Sequence, residues 1–318
     1  MITTDPLLLF LTAIIVDIYA GDWVGRGRVL WHPSDLLLRA IGWVDVKLNR
    51  AVRGERALVV RGALAAFFLI ALSASTGWLI HILCAQAPLF WAFELILIVS
   101  LVDLRRPWVK ATELAAALEI DGLVGGRAKL PPLSSRDPTH ADVHEIARLG
   151  VEALATRFSS GLVGPTISYM AFGFAGLLGY QAVVLLSERA PSPHPFFAFS
   201  NRLAAIIEWP TSNIAALVLI AASTTMRAAS PRAALNTFLH SRGDAKGGKN
   251  IAVVSAMAGA LDLALQGPRH YASGVTRRPW VGDGRARAGP ADVLAAGQLF
   301  FSACLGVAAV IAVSIVLI

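Results

Sequence analysis

Charged residues are scarce in this chain. Asp, Glu, Lys and Arg make up 15% of its 318 residues, whereas a soluble domain carries roughly a quarter. This shortage excludes an ordinary water-soluble surface. Hydrophobic residues make up 56% of the sequence, and they are collected in runs that approach or exceed the roughly 20 residues a helix needs to cross a hydrocarbon core. We therefore predict an integral membrane protein.

Cysteine is nearly absent as well. Cys84 and Cys304 are the only two, and both lie in apolar runs. Neither has a CxxC partner or a histidine at ligand spacing, so neither a disulfide framework nor a cysteine metal site is predicted. The first apolar run has no basic stretch before it and no small-residue cleavage site after it. We therefore predict a retained helix there rather than a signal peptide.

Apolar runs long enough to be candidate membrane spans occur six times. The second, fourth and sixth have the length of a full span, whereas the other three are short, which leaves tilt or a re-entrant course open for them. The predicted fold class is all-α: a polytopic α-helical membrane protein with five or six transmembrane helices and amphipathic cytoplasmic helices, in a single membrane domain. The six runs are residues 4–20, 62–84, 89–102, 162–186, 211–226 and 293–318.

Positive charge is confined to a few segments. The net charge is +7, but the basic residues are not interleaved with stacking aromatic residues, so nucleic-acid binding is not predicted. Of the 28 Lys and Arg residues, 26 lie in segments 21–61, 104–158 and 227–290. Six crossings put these segments on one face, which the positive-inside rule makes the cytoplasmic face of a bacterial inner membrane. Arg189 and Arg202 lie in the 187–210 connection, which is predicted on the opposite face.

Two cytoplasmic stretches are predicted to be amphipathic helices. Residues 31–50 carry two neighbouring apolar stripes, and their Trp and Lys content favours a helix lying in the membrane interface. Residues 141–157 place apolar side chains opposite Asp142, Glu145, Arg148 and Glu152. Residues 122–138 and 242–249 are rich in Gly, Pro or Ser and are predicted as loops. The stripes of the first stretch are Leu36, Ala40, Trp43 and Lys47, beside Leu37, Ile41, Val44 and Leu48.

Two carboxylates lie inside predicted spans, where ionisable groups are costly and often functional. Glu94 lies midway along the third span, and Asp17 lies near the inner end of the first. Two interpretations stay open for each. Glu94 either takes part in function or fastens the bundle by pairing with a polar group such as His81. Asp17 either takes part in function or ends its helix at the membrane interface.

Three polar clusters outside the spans combine Gly, Pro, Arg and Asp. Backbone N–H groups and Arg bind phosphate oxygens, and carboxylates bind Mg²⁺, so such clusters could form a phosphate and metal site. None has the spacing of a P-loop, and a solvated turn explains any one of them alone. The clusters are Asp17 and Asp22 with His32; Arg136 and Asp137 with Glu152; and residues 267–271 with 278–284.

The order of these clusters along the chain resembles the CobD/CbiB family of cobalamin-biosynthesis membrane proteins. The resemblance runs from about residue 10 to residue 300 and is most specific over residues 256–284. It departs from the family pattern in the middle third, where acidic and amide positions are replaced. The matching residues are Asp17, Asp22, His32, Gly42, Asn49, Glu94, Arg136, Asp137, Glu152, Tyr271, Arg278 and Asp283; the replacements are Thr156-Arg157, Ser160-Gly161, residues 184–187, Ala204-Ala205, residues 208–212 and Val254.

The resemblance implies an amide ligation that joins adenosylcobyric acid to an aminopropanol phosphate. It implies ATP and Mg²⁺ as cofactors and a corrinoid as substrate rather than as prosthetic group. The implied roles are acid–base or catalytic for Asp137, Glu152 and Glu94; substrate or phosphate binding for His32, Arg136, Tyr271 and Arg278; and metal binding for Asp17, Asp22 and Asp283.

The replaced positions keep a second function open. A divergent, non-catalytic family member would act as a binding, regulatory or complex-forming membrane subunit, and the sequence alone does not decide whether the chain is an enzyme. Expected partners are the lipid bilayer, a corrinoid, and other membrane proteins or further copies of the chain. A transporter is disfavoured, because beyond Glu94 the spans lack the polar lining and broken helices of a substrate path.

Overall fold

The computed structural model describes residues 5–26, 33–50, 54–86, 90–134, 138–189, 194–241, 248–271, 274–276 and 279–317. Predicted residues His32, Arg136, Asp137 and Arg278 lie outside this part of the chain. The described helices are α1 Pro6–Arg26, α2 Pro33–Leu48, α3 Glu55–Ala85, α4 Phe90–Leu101, α5 Arg105–Ile120, α6 Gly122–Lys129, α7 Val143–Phe158, α8 Gly164–Glu188, α9 Ala198–Ser223, α10 Pro231–Ser241, α11 Ile251–Ala260 and α12 Pro290–Leu317.

Short non-α elements complete the described chain. A π-helical turn, Ser159–Val163, joins α7 to α8, and a 3₁₀ turn, Pro195–Phe197, precedes α9. Four short strands form two antiparallel ribbons, in which β1 pairs with β4 and β2 with β3. The strands are β1 Leu265–Gln266, β2 Arg269–Tyr271, β3 Gly274–Thr276 and β4 Trp280–Val281.

The architecture confirms the predicted all-α polytopic membrane protein. Among the described residues, four helical segments are long and apolar enough to cross a membrane, and two shorter apolar helices accompany them. All six predicted spans fall on helices, α1, α3, α4, α8, α9 and α12. The four long segments are Glu55–Cys84, Val143–Glu188, Pro195–Ser223 and Pro290–Leu317, and the shorter ones are Pro6–Tyr19 and Ile251–Ala260.

The chain divides into two compact units. The first comprises Met1–Asp103, Gly164–Glu208 and Ile311–Ile318, and the second comprises Leu104–Val163 and Trp209–Val310. Each unit therefore contains sequence from distant parts of the chain, and each is described separately below.

The first unit is organised along α3, whose 31 residues extend about 46 Å at 1.5 Å per residue. Its early part contacts the residues that follow α8: Gly62 lies against the backbone of Phe196, where any side chain would clash. Farther along, a Cβ on Gly77 would be 2.6 Å from the carbonyl oxygen of Phe174 in α8. The absence of side chains at these two glycines lets the backbones approach closely.

Helix α2 confirms one of its two predicted stripes as the packing face. Ile41 is buried with Ala66, Leu69 and Leu186, and Leu37, Ala40 and Val44 pack against this cluster. Apart from Ala40, the neighbouring stripe stays exposed, with Trp43 61% accessible and the Lys47 ammonium 4.4 Å from the centre of its ring. An exposed Trp–Lys pair fits the predicted place of α2 in a membrane interface.

In the first unit, Arg189 does not lie where the sequence predicts it. Its Nε lies 3.9 Å from Oδ2 of Asp45 in α2, so the start of the 187–210 connection is at the same end of α3 as residues 33–48. The prediction that these segments lie on opposite faces is wrong for Arg189. The connection is also shorter than predicted, because α9 begins at Ala198 and continues through Pro210.

The second unit contains a helix where the glycine and proline content predicted a loop. Residues 122–129 were predicted as loop but form α6, whose glycines permit close packing. A Cβ on Gly125 would be 2.6 Å from the carbonyl oxygen of Ala117 in α5, and one on Gly126 would overlap Leu118. Helix α11 is buried along its whole length from Ala252 to Ala260, which explains its uniformly apolar sequence.

Candidate functional site

Helix α7 carries the most unusual side chains of the second unit. It begins after Asp142, whose Oδ1 accepts the backbone N–H of Glu145 at 2.6 Å, an N-terminal cap. Glu145, Arg148 and Glu152 are only 4%, 8% and 5% exposed. Their spacing of three and four residues puts all three on one face of the helix. The polar face is thus buried rather than solvated.

This face holds the segment that carries the two ribbons. Nδ1 of His144 donates to the carbonyl oxygen of Ala288 at 2.8 Å, because a carbonyl can only accept. Nη1 of Arg148 donates to the carbonyl oxygen of Ala286 at 2.6 Å. Oε1 of Glu152 accepts the backbone N–H of Gln266 at 2.8 Å. Three side chains of α7 therefore fix the start and the end of residues 266–288.

The ribbon that begins at Gln266 has a constrained backbone. Gln266 has φ 62° and Gly267 φ 68°, in the left-handed region that non-glycine residues seldom adopt. Gln266 is paired with Trp280 across the ribbon, and a Cβ on Gly267 would overlap the Trp280 ring. The Arg148 guanidinium lies 5.2 Å from the centre of that ring, a cation–π contact. Glu152 and Arg148 thus hold opposite strands of one ribbon.

Trp280 and Asp283 are both accessible to solvent in this arrangement. Trp280 is 45% exposed although Arg148 lies beside its ring, and Asp283 is exposed in the turn after β4. Of the predicted residues in this unit, Glu152 lies in the buried face of α7, Asp283 lies on the surface, and Tyr271 is described only through its backbone in β2. We name Glu145, Arg148, Glu152, Gln266 and Trp280 the α7 site.

Sequence reasoning missed Glu145 and Arg148 as site residues. Both were placed on the polar face of an amphipathic helix without a role. The signal was their spacing with Glu152, which aligns three charges along one face of a helix. That pattern also fits a solvated helix, and only the packing of residues 266–288 over it separates the two cases.

The remaining predicted residues belong to the first unit. Glu94 is 6% exposed; its Oε1 accepts the Tyr169 hydroxyl at 3.3 Å and lies 3.6 Å from Nδ1 of His81. The predicted pairing with His81 is therefore present. The Tyr169 ring also stacks on Phe10, with ring centres 5.3 Å apart. We name Glu94, His81 and Tyr169 the Glu94 cluster.

Two of the three predicted metal residues, Asp17 and Asp22, lie in the first unit and Asp283 lies in the second, and their metal-binding role stays a prediction. Asp17 is buried in α1 at 5% exposure, and only the backbone of Asp22 is described, also in α1. Asp283 lies in the other unit. Within the described ranges, no group of three or more His, Cys, Asp or Glu side chains could hold a metal ion. The proposed Mg²⁺ thus rests on the family resemblance alone.

A separate ion cluster lies on the surface of α5 and α6. Glu113 accepts hydrogen bonds from the ammonium of Lys110 at 3.0 Å and of Lys129 at 3.4 Å. The hydrogen bond from Lys110 is the main reason that the pKa of Glu113 is lowered from its usual value. The cluster ties α6 to α5 and is distant in sequence from the α7 site.

The long apolar helices and the buried polar face of α7 define a polytopic α-helical membrane protein with a polar site beside its ribbons. The chain belongs to the CobD/CbiB family of cobalamin-biosynthesis proteins, because the family model described as "CobD/Cbib protein" matches residues 10–300. This match confirms the resemblance seen in the sequence.

Similar proteins support the same assignment. The protein called "Cobalamin biosynthesis protein CobD" from Sinorhizobium sp is 32% identical over 305 residues, covering 94% of both chains. Its namesake from Rhizobium meliloti (strain 1021) is 28% identical, covering 95% of this chain and 94% of the relative. That of Rhodobacter capsulatus is 27% identical over 97% of both chains. No solved structure is significantly similar to the chain.

Proposed function

We propose that the chain catalyses an amide ligation in cobalamin biosynthesis, joining the carboxylate of adenosylcobyric acid to an aminopropanol phosphate. The observation that carries the proposal is the α7 site, in which three buried charged side chains lie against the part of the sequence that most resembles the family. The family implies the reaction, and the α7 site is where we place it.

Burial of these charges argues for a role beyond folding. Taking a charged side chain out of water costs several kcal/mol, and apolar replacements of similar volume are often equally stable or more stable. Glu145, Arg148 and Glu152 are all at most 8% exposed. If the buried face of α7 served folding alone, apolar residues could fill it. Their presence is explained if the ribbon has to be held in one position for a ligand.

The chemistry requires positive charge near a phosphoryl group. A carboxylate must be activated before an amine can displace its oxygen, and an acyl phosphate is the activated form that ATP would supply. Preorganised Arg side chains stabilise charge on the transferring phosphoryl group. We assign this role to Arg278 in the ribbon segment and to Arg136. Tyr271 and His32 are proposed to contact substrate, and Asp137 is proposed as acid–base catalyst.

Glu152 has a different role in this proposal. Its Oε1 is engaged by the Gln266 N–H, so it is a positioning residue for the ribbon rather than a proton carrier. Trp280 offers an exposed aromatic surface beside the ribbon, which suits contact with a large flat ligand such as a corrinoid. We propose a bacterial inner-membrane location, with the basic segment 21–61 in the cytoplasm, where ATP is available.

Complementation tests the proposal directly. A strain that lacks adenosylcobinamide-phosphate synthase would be grown on cobyric acid with this chain supplied. We expect growth with the wild-type chain and with the surface variant Glu113→Gln, and loss of growth with Arg148→Ala. Absence of growth with a wild-type chain that is shown to be inserted in the membrane would contradict the ligase assignment.

One observation favours the non-catalytic alternative. Two of the positions at which the family carries acidic residues hold buried neutral residues here: Ser160 is 4% exposed and Ala204 is fully buried. The Ser160 hydroxyl donates to the carbonyl oxygen of Thr156 at 3.0 Å, within its own helix. A binding or complex-forming subunit would keep its cellular role when Arg136, Asp137 or Asp283 is changed to Ala, whereas the ligase would not.

A further inference from the structure

We infer that Gly164–Glu188 is a re-entrant helical hairpin, which enters and leaves the membrane at the same face and places its tip in lipid hydrocarbon. The first observation is a break within α8. Phe172 has φ −135° and ψ 15°, and Gly173 has φ 60° and ψ −151°, both outside helical geometry. The backbone at Gly173 is one that side-chain-bearing residues rarely adopt.

Two close contacts show that the chain reverses at this break. A Cβ on Gly176 would overlap the carbonyl oxygen of Ser168, and one on Gly164 would overlap the Tyr180 hydroxyl. In a straight helix these pairs would be about 12 Å and 24 Å apart along the axis. Both pairs are symmetric about residue 172. Residues 164–171 and 174–188 are therefore two antiparallel arms.

Small residues make the reversal possible. Gly164 and Ser168 are spaced by four in the first arm; Gly176 of the second arm faces Ser168, and Gly164 faces Tyr180. Such spacing of small residues lets two helices approach closely in a membrane, where van der Waals contact drives association. The hairpin is therefore a packed unit.

The second arm is too short to cross alone. Its 15 residues rise about 22 Å, whereas the hydrocarbon core is about 30 Å thick. The arm runs antiparallel to α3: Phe174 lies near Gly77, and Leu186 packs with Ala66 and Leu69. Arg189, just after the arm, meets Asp45 at 3.9 Å. The arm therefore ends at the α2 side of α3.

The tip is suited to lipid. Met170 and Phe172 are 37% and 76% exposed, and no Asp, Glu, Lys or Arg occurs between residues 158 and 188. At the same level of α3, Trp78 and Leu79 are 61% and 53% exposed, which extends the apolar surface. The polar hydroxyl of Tyr169 in the first arm is satisfied by Glu94 at 3.3 Å. Because the tip and the neighbouring face of α3 are both apolar, we assign lipid hydrocarbon as their surroundings.

A distance measurement tests the reversal in the full chain. In a background with Cys84→Ala and Cys304→Ala, spin labels would be attached at Thr166→Cys and Glu188→Cys. A straight helix predicts about 33 Å along its axis. The hairpin predicts about 18 Å, from about 15 Å along the arm and 8–10 Å between the arms. A distribution centred near 33 Å would overturn the inference.

Labelling from each side of the membrane tests re-entry. In the same background, a membrane-impermeant maleimide would be applied to single-cysteine variants in vesicles of both orientations. We expect Glu188→Cys, after the hairpin, to react from the same face as Asp35→Cys in α2. Gln86→Cys, at the far end of α3, is the control that reacts from the other face. Reaction of Glu188→Cys and Asp35→Cys from opposite faces would overturn re-entry.

A single nitroxide at Phe172→Cys tests what surrounds the tip. Hydrocarbon gives strong relaxation by oxygen and weak relaxation by a water-soluble nickel complex, and this is the expected result. Weak relaxation by both reagents would mean a protein partner or a second copy covers the tip. Strong relaxation by nickel would mean a water-filled path. Either of the last two outcomes would overturn lipid as the occupant.

Discussion

The hydrogen bond between Glu152 and the ribbon gives the most direct test of the α7 site. Oε1 of Glu152 accepts the Gln266 N–H at 2.8 Å, and the two residues are 5% and 6% exposed. In Glu152→Ala the buried N–H loses its acceptor, which costs about 1–3 kcal/mol. In Glu152→Gln a carbonyl oxygen of the same reach remains, so only the charge-assisted part is lost, about 1 kcal/mol or less.

These magnitudes predict an order of thermal stability. At about 2–4 °C per kcal/mol for a domain of 150–250 residues, Glu152→Ala should lower the melting temperature in detergent by about 5 °C and Glu152→Gln by about 2 °C. Glu113→Gln, on the surface, serves as the control. Tryptophan fluorescence during heating is the assay. Equal melting temperatures for the wild type, Glu152→Gln and Glu152→Ala would refute the reasoning.

Growth in the complementation assay distinguishes a positioning role of Glu152 from a role in proton transfer. If Glu152 positions the ribbon through Gln266, Glu152→Gln should retain most of the growth on cobyric acid, whereas Glu152→Ala should lose it. A proton carrier would fail in both variants, because an amide cannot replace a carboxylate in acid–base catalysis. Loss of growth with Glu152→Gln at unchanged stability would therefore assign Glu152 to the chemistry.

The other predictions concern three separate contacts. Arg148→Lys keeps the charge but not the planar group beside Trp280, so it should support reduced growth on cobyric acid, whereas Arg148→Ala should support none. Equal growth of the two variants would show that the contact to Trp280 is not required for growth. Tyr169→Phe removes the donor to Glu94 and should lower the free energy of unfolding by about 1–3 kcal/mol, which thermal unfolding in detergent would measure, with the surface variant Glu113→Gln as control. The lowered pKa of Glu113 contributes stability above its unfolded pKa, near 4.3, and this contribution is lost as pH falls through the folded value. Glu113→Gln should therefore flatten the pH dependence of the unfolding free energy below about pH 4.5, by about 0.5 kcal/mol or less because the side chain is 36% exposed. An unchanged profile would contradict this expectation.

Hydropathy and helical periodicity predicted the parts of the fold that depend on local sequence. All six apolar runs are helical, and α2 and α7 occur where the amphipathic pattern placed them. The pairing of Glu94 with His81 was also anticipated, because a carboxylate in an apolar helix needs a polar partner. These features follow from the local sequence of each helix or from the cost of burying a charged side chain.

Features that depend on close packing were not predictable from composition. Glycine-rich residues 122–129 form a helix because Gly125 and Gly126 fit against α5, whereas glycine content alone indicates a loop. Arg148 bonds to the backbone of Ala286, 138 positions away, a contact that its own neighbours in sequence do not reveal.

The hairpin in α8 also changes how charge can be used to orient the chain. Residues 162–186 form one uninterrupted apolar run, so hydropathy counts a single crossing, although Gly173 reverses the backbone within it. A straight crossing would separate Arg189 from Asp45 by the thickness of the membrane, yet the two side chains meet at 3.9 Å. The hairpin puts Arg189 at the same end of α3 as residues 33–50, in agreement with its contact to Asp45.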